Sequence, residues 1–190
     1  MRCRNWKNSR VPTAYITKAQ QARLLCERGQ WPEALAFAQR WHVEAPTEAK
    51  ALFYEGVALT GLGRFVAAET AYYRALALEA QDFQTWTHLA ALLFADLNQP
   101  AEAAKCLAQA MLIDPGNELG WTKLARIYRH LGRQAQALGC AERALALDPE
   151  LVEAHLHRGR AAQALNRPEI VRAACDALSR LPPEKFKRAT

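Results

Sequence analysis

The stretch from Trp86 to Pro115 and the stretch from Trp121 to Pro149 are nearly the same sentence written twice. Repetition at a fixed spacing limits the fold more than any single motif. It means one supersecondary unit is copied, and each copy buries its apolar side against a neighbour. Aligning the two stretches reveals three more, giving units at 15–48, 49–82, 83–117, 118–151 and 152–185. Four units are 34 residues long, and the third has one residue more, near Ala95–Leu97.

Each unit reads as two helices. Apolar residues recur at i, i+3, i+4 and i+7, and strand-like alternation is absent. Between the two helices one slot holds Gly29, Gly63, Asn98, Gly132 or Asn166. Only Gly and Asn occur there, the residues that most readily take the left-handed conformation ending a helix. The second helix is expected to end before Pro46, Ala80, Pro115, Pro149 or Pro183, and proline cannot continue a helix. Small residues hold three further slots. Ala22, Gly56, Ala90, Ala125 and Gly159 share one in the first helix. Ala34, Ala68, Ala103, Ala137 and Val171 share another in the second helix, and Ala75, Ala110 and Ala144 share a third. Large residues stand beside them, including Leu52, Trp86 and Trp121, then Leu25, Leu59, Leu93 and Tyr128. Small residues let paired helices approach closely, and large ones fill the remaining space.

This pattern resembles the tetratricopeptide repeat. The fourth unit carries the signature through Trp121, Leu124, Ala125, Tyr128, Gly132, Ala137, Ala144 and Pro149. The resemblance covers roughly residues 15–185 and implies an all-α, right-handed superhelical solenoid of antiparallel helix pairs. The first and last units depart from it. Lys18 and Gln21 stand in place of large apolar residues in the first unit, and His155 and Arg158 in the fifth. The first unit has no upstream neighbour, and a polar outer face is expected of such a terminal repeat; the fifth unit has one, so looser or wetter packing against the fourth is expected there. A last helix near 168–180 with Ile170, Ala174, Leu178 and Leu181 on one side reads as an end cap. The array is therefore expected to be complete at five units, flanked by a basic extension at 1–14 and a short basic tail at 186–190.

The net charge is +6, unevenly spread: residues 15–117 carry 8 basic and 11 acidic side chains, and residues 118–190 carry 13 and 8. A basic second half suits an acidic partner or a nucleic acid. Arginine makes up 18 of the 25 basic residues, so part of the excess is compositional. Units one to three are net acidic, and aromatic residues do not interleave with the basic ones, which weighs against nucleic acid. The five cysteines include no CxxC pair, which fits a reducing, cytoplasmic setting. The N-terminus has no apolar stretch of a secretory signal, and no run approaches the roughly 18 apolar residues of a spanning helix. The histidines are scattered, with His155 and His157 on different helix faces, so no metal site is expected. No phosphate loop, nucleophile elbow or carboxylate pair is present, so neither an enzyme nor a cofactor is expected.

Function is then expected on the groove that the resemblance implies, lined by the arc of each first helix opposite the buried one. Counting from the Ala22/Gly56/Ala90/Ala125/Gly159 slot, that arc takes the positions six, three and two before it and one, four and five after it. It holds Phe53 and Tyr54, then His88 and Phe94, then Lys123, Arg126, Arg129 and His130, and finally His157 and Arg160. The face grades from aromatic to basic. Aromatics and Arg are the usual anchors of interfaces, and Arg grips carboxylates in bidentate fashion. The expected partner is a protein or peptide segment with an apolar anchor followed by acidic residues or a terminal carboxylate. Local packing of the aromatics and solvated arginines is the competing reading. The Lys/Asn carboxylate clamp of some family members is not carried over, because Arg23 and Tyr54 occupy Asn slots. The resemblance implies an adaptor, scaffold or chaperone-like module. The alternatives are a regulatory module of a larger enzyme, such as a glycosyl- or sulfotransferase, and a secretion or pilus-assembly accessory protein.

Overall fold

Why each helix starts and stops explains the architecture. The computed structural model describes residues 17–186. The extension at 1–14 and tail residues 187–190 lie outside them. The described residues are all-α and divide into two units between Glu79 and Ala80. The first holds α1 (Lys18–Glu27), α2 (Trp31–Glu44), α3 (Ala49–Gly61) and α4 (Phe65–Leu78). The second holds α5 (Phe83–Ala95), α6 (Pro100–Ile113), α7 (Glu118–His130), α8 (Gln134–Leu147), α9 (Val152–Ala164), α10 (Pro168–Arg180) and the one-turn α11 (Pro183–Phe186).

Three first helices of a pair begin on a side-chain cap. Thr17 and Gln20 form a reciprocal capping box on α1, Asp82 accepts from the Thr85 N–H, and Asn117 accepts from the Gly120 N–H at 2.8 Å. Each such bond satisfies a backbone donor that the helix itself leaves open. The second helices lack that bond. Three of them, α2, α6 and α10, start with Pro in the first turn, where the missing N–H is not needed. The turn slot behaves as its chemistry demands. Gly29, Gly63 and Gly132 have φ of 69°, 71° and 72°, and Asn98 and Asn166 have φ of 52° and 55°. The extra residue of the third unit is absorbed in the α5–α6 turn, where the Gln99 N–H reaches the Leu93 carbonyl at 2.7 Å. The α10 helix stops at Arg180, not against Pro183. Leu181 precedes Pro182 and is held extended at φ −74°, ψ 140°.

Within the first unit, Leu52, Phe53, Leu59, Tyr72 and Leu76 form the core, with Trp41 packed beside Ala22 and Ala51. Gly56 lets the Tyr72 ring lie against α3, since a Cβ there would sit 2.6 Å from Tyr72 Cε1. Within the second unit the core runs through Leu89, Leu93, Leu107, Met111, Leu124, Ile127, Leu138 and Leu145. Burial of each such side chain contributes about 1.5–3 kcal/mol.

The departure at His155 has a structural answer. The indole N–H groups of Trp86 and Trp121 donate to the carbonyls of Ala80 and Pro115, both at 2.9 Å. His155 occupies the same slot and places Nε2 2.8 Å from the Pro149 carbonyl. Arg158 is half-buried, and its Nε has no hydrogen-bond partner.

Candidate functional site

The second unit gathers most of the side chains singled out from sequence. Phe94 lies in the last turn of α5. Arg126, Arg129 and His130 follow at three- and four-residue spacing on α7, which puts them on one face. His157 and Arg160 repeat the three-residue spacing on α9, which packs against α7. Arg126 stacks over the Phe94 ring, with Cζ 5.0 Å from its centroid. His130 meets the same ring edge-on at 5.4 Å. Phe94 is therefore a half-buried aromatic flanked by a cation and an imidazole.

Around the end of this face the charge is one-sided. His157 is 8% exposed and its Nδ1 has no hydrogen-bond partner. Its pKa is pushed down to about 4, first by burial and then by Arg129, Arg160 and Arg126. The same low-dielectric surroundings disfavour any added proton. Arg129 also buries its Nε without a partner. None of these three arginines joins the ion pairs found among the described residues, which involve Lys18–Glu44, Arg23–Glu27, Lys105–Glu102 and Lys185–Glu150. His88 is exposed on α5, yet the protein around its imidazole lowers its pKa first. Lys123 adds to that shift and Asp82 opposes it.

Two expected groove residues are placed elsewhere. Phe53 is only 5% exposed, meets Tyr54 edge-on at 5.0 Å and tilts against Tyr72 at 6.2 Å, under the Lys50 ammonium. It is a core residue of the first unit, and its placement on an open groove is corrected. The slot three before the small residue lies only about 60° around the helix from it, on the edge of the buried arc. Tyr54 is half-buried and stacks on Trp41 at 6.3 Å, so it too serves packing in the first unit.

Other features escaped a map drawn only on first helices. Arg143 covers the Trp121 ring at 4.9 Å beside an open apolar cleft of about 630 Å³ lined by Met111, Leu112, Tyr128 and Cys140. Met111 and Leu112 come from α6, Trp121 and Tyr128 from α7, and Cys140 and Arg143 from α8, so second helices supply much of the lining. Lys185 of α11 pairs with Glu150 at 2.6 Å, at a recess also lined by Glu118, Asp148 and Glu153. Only the pairing of α11 with the α8–α9 turn brings these groups together. Cys140 is buried, which drives its thiol up to about 11 against the opposing effect of Arg143. Burial, then Glu27, raises Cys26 as well. Neither is an activated thiolate. Among the described residues no group of three or more His, Cys, Asp or Glu is placed to hold a metal ion, and no helix is long and apolar enough to cross a membrane.

Comparison with known proteins agrees with this geometry. Residues 83–117 and 119–151 match family models described as tetratricopeptide repeat. No curated protein sequence matches the chain. Among solved structures, a crystal structure of MamA superposes with a TM-score of 0.75 at 18% identity, covering 92% of this chain and 98% of that one. MamA residues 41 to the end from Desulfovibrio magneticus RS-1 gives 0.71 at 22% identity, covering 91% and 97%. YrrB, described as a TPR protein with an unusual peptide-binding site, gives 0.72 at 18% identity, covering 86% of each chain. At these identities the structures establish the fold of paired helices, and the family matches add the repeat itself: residues 83–117 and 119–151 are tetratricopeptide repeats, which supports a protein-interaction module.

Proposed function

We propose that the five helix pairs at 15–185 are repeats of one kind and that the chain is a non-enzymatic adaptor or scaffold. Its binding face lies on α5, α7 and α9. The ligand is an extended segment of a partner protein that sets an apolar side chain on Phe94 and acidic groups against Arg126, Arg129 and Arg160. His88, Lys123 and His130 flank its path. The observation that carries this reading is the cluster of three guanidiniums, beside a flanked aromatic, with no carboxylate of the described residues in an ion pair with them. Such unspent cations suit a complementary acidic ligand. YrrB, of the same fold, is described as having a peptide-binding site, which is consistent with a peptide on this face. A reducing, cytoplasmic setting belongs to the same reading, supported by the lack of a disulfide among Cys26, Cys106, Cys140 and Cys175 of the described residues.

The test is affinity capture from lysate with the wild-type chain and with an Arg126→Glu, Arg129→Glu double variant as control. A partner retained by the wild type and lost in the variant, with helix content unchanged, is expected. Equal capture of every partner by both proteins would remove this face from the function.

A further inference from the structure

We propose that Arg126, Arg129, His157 and Arg160 form a pocket for a phosphoryl group carried on the partner segment. The inference rests on the binding face described above and names the acidic group that the face reads. The geometry comes from two helices. Spacing of three residues puts Arg126 with Arg129 on one face of α7 and His157 with Arg160 on one face of α9, and the two helices pack together. All three guanidiniums act electrostatically on the His157 imidazole, so they converge on one locality.

Two buried polar atoms there, Arg129 Nε and His157 Nδ1, have no hydrogen-bond partner among the described residues. Leaving such atoms unpaired is costly, and a ligand oxygen that draws the two side chains toward it would relieve that cost. A carboxylate brings a single charge and two coplanar oxygens, and would leave two of the three cations uncompensated. A phosphoryl group brings about −1.5 to −2 charges and three strongly accepting oxygens, which match three guanidinium forks and one imidazole N–H. Arginine clusters are a recurring means of recognising phosphorylated segments. Phe94 under Arg126 extends the site on one side, so an apolar residue within a few positions of the phosphorylated one is favoured.

The experiment uses the full chain and three acetylated, amidated peptides of sequence Ala-Phe-Ala-X-Ala, where X is phosphoserine, Glu or Ser. Binding is followed by calorimetry near 0.1 M salt, and the His157 ring is followed by NMR. The phosphoserine peptide is expected to bind at least tenfold tighter than the Glu peptide, with the Ser peptide weaker still. It should raise the His157 pKa on saturation, compete with inorganic phosphate, and lose at least tenfold in both Arg129→Gln and Arg160→Gln. Arg160 is exposed, so that variant keeps the test valid if Arg129→Gln unfolds. Equal affinity for the Glu and phosphoserine peptides overturns the phosphoryl assignment and leaves the acidic-segment reading standing. Phosphoserine binding unchanged in both variants overturns the pocket. No binding of any peptide, with a lysate partner still lost in the charge-reversed double variant, overturns this inference alone. No binding and no such partner overturns both readings.

Discussion

The Nε2 atom of His155 lies 2.8 Å from the carbonyl oxygen of Pro149, the relation that the indole N–H of Trp121 keeps with Pro115 six residues upstream. A carbonyl only accepts, so Nε2 carries the proton and donates. The imidazole thus substitutes for an indole at the turn between successive repeats. Removing the donor from either ring leaves a carbonyl unpaired. Accordingly, His155→Phe, which breaks a part-buried bond, should destabilise the chain by about 1–3 kcal/mol, and Trp121→Phe, which breaks an exposed one, by less through this bond, both read from urea midpoints. A His155→Phe variant as stable as the wild type would show that water serves the carbonyl equally well.

Gly56→Ala should destabilise although it improves helix propensity. The gain of about 1 kcal/mol from replacing glycine in a helix is set against a Cβ 2.6 Å from the ring of Tyr72, which is 1% exposed. Overpacking of that kind costs about 1–3 kcal/mol, so the net change in thermal unfolding should be a loss. A gain in Tm would mean that the Tyr72 ring shifts freely.

The two phenylalanines should separate packing from binding. Phe53→Ala empties a core site and should cost about 3–5 kcal/mol. Phe94→Ala, at a half-buried position, should cost less than half as much while weakening the captured partner. Chemical denaturation alongside the capture assay checks both. Comparable stability losses in the two variants would place Phe94 in the core as well.

His157 should make stability depend on pH in a defined window. Its native pKa is lowered to about 4 from an ordinary value of 6.5. Between those values the unfolded chain holds a proton that the native chain lacks, so stability rises with pH from about 4 to about 6.5 and is flat, as far as this group is concerned, outside that range. Arg126 and Arg129 on α7 and Arg160 on α9 are the charges that face the ring. Subtracting the profile of His157→Gln from that of the wild type isolates the effect, and a flat difference would refute it.

In the turn slot, Gly63→Asn should be milder than Gly63→Ala. Both put a Cβ at φ 71°, where no heavy atom lies within 4 Å, so the difference is purely conformational. Asn tolerates the left-handed region better than Ala, as Asn98 and Asn166 do at φ 52° and 55°. Paired thermal melts of the two variants decide it.

The repeat was legible because its constraints are local. Positive φ favours Gly or Asn, and a helix does not run on through Pro, so Gly29, Asn98 and Pro115 could be read without neighbours. Phe53 was misplaced because its slot sits on the border of the buried arc. Thr122 in the same slot is also buried, so which side of the border a residue takes is decided by its partners. For Phe53 those are Tyr54 and Tyr72. The basic residues were each visible in sequence, but their convergence on His157 was not, because it depends on α7 packing against α9. His155 looked like a defect in the pattern until its ring nitrogen was seen to serve the carbonyl that Trp serves elsewhere.

The α5–α6 turn already holds one residue more than its counterparts, and Asp96, Asn98 and Gln99 in it are exposed. Exposed turns of this kind tolerate insertion best. It begins two residues beyond Phe94, which makes it the natural seat for an inserted reporter: a fluorophore carried there would sit beside the binding face without replacing any residue of it, turning the repeat's own irregularity into a built-in mounting point for a sensor.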